Sequence, residues 1–114
     1  MSEDGRYLEV KGRKNTLCGS VLTMDQAFGN LLTWFTQDRE GVWYENHAAL
    51  SLEAALTKAS VLCSRNPAAL LGLEKTGVIA EGNLADLIIA EIIGPEPEYQ
   101  LQVNKVFLKG REIV

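Results

Sequence analysis

The sequence predicts an α+β fold, and three observations carry that reading. Apolar residues recur at helical spacing from Val21 to Phe35. They do so again from Leu52 to Leu62. From Gly77 onward the pattern changes to β-branched runs punctuated by glycine and proline, with Leu87-Ile88-Ile89 the strongest. Helices followed by a block of strands, without alternation between the two, belong to the α+β class.

The elements follow in order. Residues 1–19 carry Gly5, Gly12 and Gly19 between short apolar pieces at Tyr7-Leu8 and Val10, which suits a loop or a short hairpin. Val21, Met24, Phe28, Leu31, Leu32 and Phe35 then share one helical face. Thr23 and Gln26 have capping-box spacing, and Asp25 sits where the helix dipole favours an anion. A helix is expected over about 23–36. Gln37 to Leu50 breaks the rhythm with Asp38, Arg39, Glu40 and Glu45 around Gly41, Trp43 and Tyr44. It reads as a connection, with or without some helix of its own, and at fourteen residues it exceeds the usual helix–helix link.

Ser51 is a good N-cap with Glu53 in the first turn, and Leu52, Ala55, Leu56, Ala59 and Leu62 form an apolar stripe with Cys63 at its edge. Asn66 and Pro67 are expected as N-cap and first residue of a third, short helix that Gly72 closes. Gly77-Val78-Ile79 is strand-like and leads to a turn at Glu81-Gly82-Asn83, with Gly82 at positive φ and Asp86 bonding the turn backbone just upstream. Leu87-Ile88-Ile89 reads as a buried strand, and Pro95-Glu96-Pro97 as a loop. Leu101 to Leu108 turns at Lys109-Gly110 into Arg111–Val114, a hairpin.

Composition bounds the function. With 46% hydrophobic and 23% charged residues the chain is of ordinary globular type, able to bury one modest core. The net charge of -4 is scattered, and the mildly basic Arg6, Lys11, Arg13 and Lys14 form no stripe, which excludes a nucleic-acid partner. Leu84 to Ile93 is interrupted by Asp86 and Glu91 and falls short of the ~20 residues of a membrane span, so no membrane partner is expected. The polar, charged N-terminus is not a signal peptide. Cys18 and Cys63 show neither C-x-x-C nor metal-ligand spacing, so free thiols in a reducing, cytoplasmic setting are expected, both packed as small buried hydrophobes.

Thr16-Leu17-Cys18-Gly19-Ser20-Val21-Leu22-Thr23-Met24 resembles the Thr-Leu-x-Gly-Ser-x-Leu-Thr-Met segment of N-acetylglucosamine-6-phosphate deacetylases, a branch of the amidohydrolase superfamily. Ser51 to Leu56, Asn66-Pro67-Ala68 with Leu70 to Leu73, Gly77 to Ile88, and Val106 to Arg111 resemble further family segments in the right order and spacing, so the likeness covers nearly all of residues 4–114. It implies that residues 1–75 are the C-terminal loop and helices of a metal-dependent (β/α)₈ barrel, part of a catalytic domain. Residues 76–114 would then be strands of the small β-sandwich domain, and 37–50 an insertion. A barrel needs about 250 residues and only fifteen precede the Thr16 run, so the chain is expected to be a C-terminal fragment.

The resemblance implies hydrolysis of N-acetylglucosamine 6-phosphate to glucosamine 6-phosphate and acetate by the parent enzyme. Its divalent metal is held by a glutamate and histidines of the barrel, and its catalytic aspartate ends the last barrel strand. All of these fall upstream of Met1, so no catalytic or metal-ligating residue and no cofactor is expected in this chain, and the chain alone is expected to be inactive. Leu17, Cys18 and Gly19 are implied as substrate contacts, largely through backbone groups, with Gly19 admitting close approach. From the residues alone the same segment is also a plain loop entering a helix, with Ser20 as cap. Asp4 matches the Asp-Gly-x-Tyr loop that follows the catalytic aspartate, and is read as a turn residue.

His47 is the only histidine, too few for a family-type metal site, and is read as a surface or half-buried structural residue. Trp34, Phe35, Trp43 and Tyr44 either form a sticky apolar patch or pack the helix layer; Lys75, Lys109 and Arg111 are solvated turn charges. The implied partners are the sugar phosphate and the rest of the barrel. The alternative is a non-catalytic module that binds a separate barrel half or itself, because two apolar helix stripes here lack the barrel they would cover.

Overall fold

The structure is a computed structural model that describes residues 1–3, 5, 7–41 and 45–114. It is α+β, as expected. Strands β1 (Tyr7–Glu9) and β2 (Leu17–Ser20) precede helix α1 (Met24–Phe35) and helix α2 (Leu52–Ser60). A π-helical turn (Val61–Arg65) leads into α3 (Asn66–Leu70), and β3 (Leu87–Ile93), β4 (Gln100–Leu108) and β5 (Arg111–Glu112) complete the chain. β1 and β2 form an antiparallel hairpin, which decides between the two readings of residues 1–19, and β3-β4-β5 form an antiparallel meander.

α1 begins at the expected box: the Thr23 N–H donates to Gln26 Oε1 at 3.5 Å. Asp25 is held below the ordinary carboxylate range, first by a hydrogen bond from the Thr23 side chain and then by backbone N–H groups. α2 is capped by Ser51, whose Oγ accepts from the Ala54 N–H at 3.2 Å.

The third helix does not start afresh. Arg65 and Asn66 both have α-helical backbone angles, and the Asn66 N–H donates to the Val61 carbonyl five residues back. Asn66 is therefore inside a helix rather than its cap. Pro67 has no N–H, and its ring crowds the carbonyl four residues earlier. A single wide π turn ahead of it absorbs that misfit, so the chain stays helical from Leu52 to Leu70. The exit is a Schellman motif: Gly72, at φ +67°, donates to Ala69 O, and Leu73 donates to Ala68 O at 2.9 Å.

The core is small. Leu32, Ala55 and Ala59 are fully buried where α1 crosses α2, and Phe28, Leu31, Phe35, Leu50, Leu52, Leu56, Ile92 and Tyr99 pack around them. Gly29 lets α1 meet the backbone entering β4, since a Cβ there would lie 2.7 Å from Tyr99 O. Thr33 Oγ1 accepts from the Tyr99 N–H at 3.0 Å beside this contact.

The strand block departs from expectation in three places. Gly77-Val78-Ile79 forms no strand, and Ile79 is 87% exposed. β3 is not buried: Ile88 is 56% and Ile89 52% exposed, so both faces are open at its first half. Asp86 reaches forward rather than back, accepting from the Lys109 N–H at 2.7 Å, while the upstream turn is closed by the Asn83 side-chain amide, which donates to Val78 O at 2.9 Å. Gly82 does have positive φ (+84°). Lys109 and Gly110, at φ +50° and +79°, make the expected hairpin turn.

A folded monomer of this mass exposes about 6,200 Å². This chain exposes 9051 Å², and its radius of gyration of 17.0 Å exceeds the ~13 Å usual for its length. The apolar stripes extend past what covers them, with Met24 64% and Leu62 43% exposed.

Candidate functional site

The segment from Leu17 to Gly19 is a strand, not a loop. Leu8 pairs with Gly19 and Glu9 with Leu17, so Cys18 is the extra residue of a β-bulge. A bulged residue leaves the ladder, which frees backbone polar groups at this point of the strand. The far end is held by Val10 N–H donating to Thr16 O at 3.0 Å and by Asn15 N–H donating to Glu9 Oε1 at 2.9 Å. Ser20 does not cap α1. Its Oγ accepts from the Leu22 N–H at 2.9 Å, and this side-chain turn aims the chain into the Thr23 cap.

Leu17 is 70% exposed and Cys18 is exposed, so Cys18 is not the buried apolar residue expected of it. Gly19 has no positive φ, and the atom nearest to a Cβ built there is Leu8 Cδ1 at an ordinary 3.8 Å. Neither backbone angle nor internal packing calls for glycine at this position. A Cβ at this position would make an ordinary van der Waals contact with the Leu8 side chain. Cys63 is half-buried, and burial pushes its thiol up.

His47 is half-buried and structural in its contacts. Its Nε2 donates to Phe35 O at 3.1 Å, its ring meets the Phe35 ring edge-on at 5.8 Å, and its backbone exchanges two 2.8 Å hydrogen bonds with Arg39. The 37–50 connection is thereby folded back onto the end of α1. No helix occurs among its described residues. Asp38 Oδ1 accepts from the Ala49 N–H at 2.8 Å, and Asn46 Oδ1 from the Gly41 N–H at 3.0 Å. Phe35 packs into the core with Lys58 Nζ 4.6 Å from its ring centre, whereas Trp34 is 62% exposed beneath the Arg39 guanidinium. Asp4, Trp43 and Tyr44 lie outside the described residues.

No three His, Cys, Asp or Glu side chains converge among the described residues. The one imidazole has its Nε2 engaged with a carbonyl, and Asp38 with an amide, so this donor set does not fit the divalent metal that the family resemblance implies.

One cavity escaped the sequence reading. A groove of about 920 Å³ runs between the α2–α3 segment and the start of β3, lined by Phe28, Leu56, Ser60, Ser64, Thr76 and Ile88 among others. Thr76 Oγ1 is buried there without a hydrogen-bond partner. No periodicity marks it, because its wall opposite the helices is irregular chain, Leu73 to Asp86.

The amidohydrolase family profile matches residues 8–113, from β1 through β5. No curated protein and no solved structure matches the chain.

Proposed function

The chain belongs to the amidohydrolase family, and from that premise we propose that it is the C-terminal part of an N-acetylglucosamine-6-phosphate deacetylase. The observation that carries this reading is the Thr16–Met24 run, which forms one unit: a bulged strand, the Ser20 turn and the Thr23-capped entry to α1. In the reaction, water adds to the acetamido carbonyl, the carbon–nitrogen bond breaks, acetate leaves and the amine takes up a proton. In this proposal no residue of the chain acts as acid, base or metal ligand; the ligands of the implied metal lie outside it. Leu17, Cys18 and Gly19 form a wall against the sugar through backbone groups, and the absent Gly19 side chain leaves room for it. Residues 1–75 would adjoin the barrel and 76–114 would join the small β-sandwich, in a cytoplasmic enzyme of amino-sugar catabolism.

Acetate release from N-acetylglucosamine 6-phosphate tests the proposal. The 114-residue chain alone is expected to release none, and the complete enzyme containing it to turn over. In the complete enzyme Gly19→Val should raise KM about tenfold, about 1.4 kcal/mol of lost binding, with little change in kcat. Steady turnover by the chain alone would overturn the inactivity. An unchanged KM would remove Gly19 from the pocket, and a complete enzyme that ignores this sugar phosphate would overturn the substrate.

A further inference from the structure

The strand that carries Leu17, Cys18 and Gly19 has two registers open to it. In the observed one Leu8 opposes Gly19 and Glu9 opposes Leu17, with Cys18 extra. In the regular one Leu8 still opposes Gly19, but Glu9 would oppose Cys18 and Val10 would oppose Leu17. A bulge disrupts the ladder locally, so some other contact has to favour the first register. The turn at residues 10–16 supplies it. Val10 N–H donates to Thr16 O at 3.0 Å, Arg13 N–H to Val10 O at 2.9 Å and Thr16 N–H to Arg13 O at 3.3 Å. These bonds run from main chain to main chain. The Glu9 carboxylate adds a specific one: half-buried on β1, its Oε1 accepts from the Asn15 N–H at 2.9 Å. Asn15 lies in the left-handed region at φ +60°. Among the described residues no other side-chain hydrogen bond closes this turn. Lys14 also pairs with Glu3 at 2.6 Å, but both side chains are largely exposed and such a pair contributes little.

Resting on the pocket wall at Leu17 to Gly19, we propose that Glu9 is a positioning residue for the sugar, because its bond to Asn15 locks the bulged register. A slip to the regular register carries Asn15 about 3.3 Å along β1, more than a hydrogen bond tolerates. Side chains alternate across a strand, so residues that oppose one another share a face. With the bulge, Leu17 shares the face of Glu9. Without it, Leu17 turns to the face of Leu8 and Val10. The backbone polar groups that the bulge frees at Cys18 return to the ladder in the same slip. The lock therefore decides both which side chain and which backbone groups the wall presents. In this role Glu9 touches neither the sugar nor the reacting atoms, so its effect falls on binding rather than on bond breaking.

Two variants separate reach from charge. Glu9→Gln keeps the Oε1 acceptor, whereas Glu9→Asp keeps the charge on a side chain one methylene shorter. On the 114-residue chain, nuclear Overhauser contacts across the hairpin read the register without any turnover. Residue 9 is expected against residue 17 in the wild type and in Glu9→Gln, and against residue 18 in Glu9→Asp. In the complete enzyme Glu9→Asp should raise KM for N-acetylglucosamine 6-phosphate about tenfold with kcat unchanged, and Glu9→Gln should stay near the wild type. Should Glu9→Asp fail to fold, amide exchange at Asn15 in the wild-type chain decides. That residue is exposed and its N–H bonds only the carboxylate among the described residues, so slow exchange supports the lock and free exchange overturns it. Contacts from residue 9 to residue 17 that persist in Glu9→Asp would overturn the lock. A shifted register with an unchanged KM, or a loss confined to kcat, would overturn the positioning role. A complete enzyme inert toward this sugar phosphate overturns the deacetylase reading and with it the role at the sugar, while the register contacts still decide the lock.

Discussion

At Gly29 two single-residue effects oppose one another, and their magnitudes decide the outcome. Alanine in a helix interior is favoured over glycine by about 1 kcal/mol. A Cβ at Gly29 would lie 2.7 Å from Tyr99 O and 3.1 Å from Gln100 Cα, both backbone atoms that cannot swing aside. Overpacking of this kind costs about 1–3 kcal/mol, so Gly29→Ala should destabilise the chain by about 1 kcal/mol net, seen as a lower urea midpoint. A midpoint that rises would mean that α1 does not rest on the entry to β4. The two thiols make a second residue-level contrast. Cys18 is exposed on its bulge, whereas burial raises the Cys63 thiol and keeps it protonated. Alkylation near pH 8 should label Cys18 well before Cys63, and peptide mass mapping reads the order. The sign for stability follows: the unfolded chain releases the Cys63 proton more readily, so stability falls as pH rises through the ordinary thiol range. Asp25 works oppositely. Its depressed titration stabilises the fold above the unfolded carboxylate range, and that contribution is lost as pH drops through the folded one.

At the scale of elements, what was legible in the sequence depended on whether the cause was local. The Thr23–Gln26 box, the Ser51 cap, the Gly72 exit and the Lys109-Gly110 turn are each decided within a few residues, and each stands where its spacing put it. The π turn was not legible, because Asn66-Pro67 has the same appearance whether a helix starts there or passes through. What distinguishes the cases is a helix already running into Arg65. β3 was legible as a strand but not in its burial. A continuous apolar run reports what a strand is suited to, which is cover on both faces, and not whether the described chain supplies that cover. Gly77-Val78-Ile79 misled for the same reason: strand character needs a partner edge, and none reaches it here. The candidate site was located by motif alone. Nothing in local physics separates Leu17-Cys18-Gly19 from an ordinary hairpin strand, and only the structure reveals the bulge at Cys18 and that neither φ nor a close neighbour demands glycine at 19.

At the scale of the whole molecule, the balance of surface yields a prediction independent of any one contact. An unfolded chain of this mass exposes about 18,100 Å², so the described fold removes about 9,100 Å², against about 12,000 Å² for a compact monomer. The urea dependence of unfolding scales with surface newly exposed. The 114-residue chain should therefore unfold with a slope about three-quarters that of a compact domain of equal length. Equilibrium urea unfolding of the purified chain measures this directly. A full slope would mean that the apolar faces of Ile79, Ile88 and Ile89, all exposed here, close on one another in solution and leave no surface for the rest of a barrel to cover.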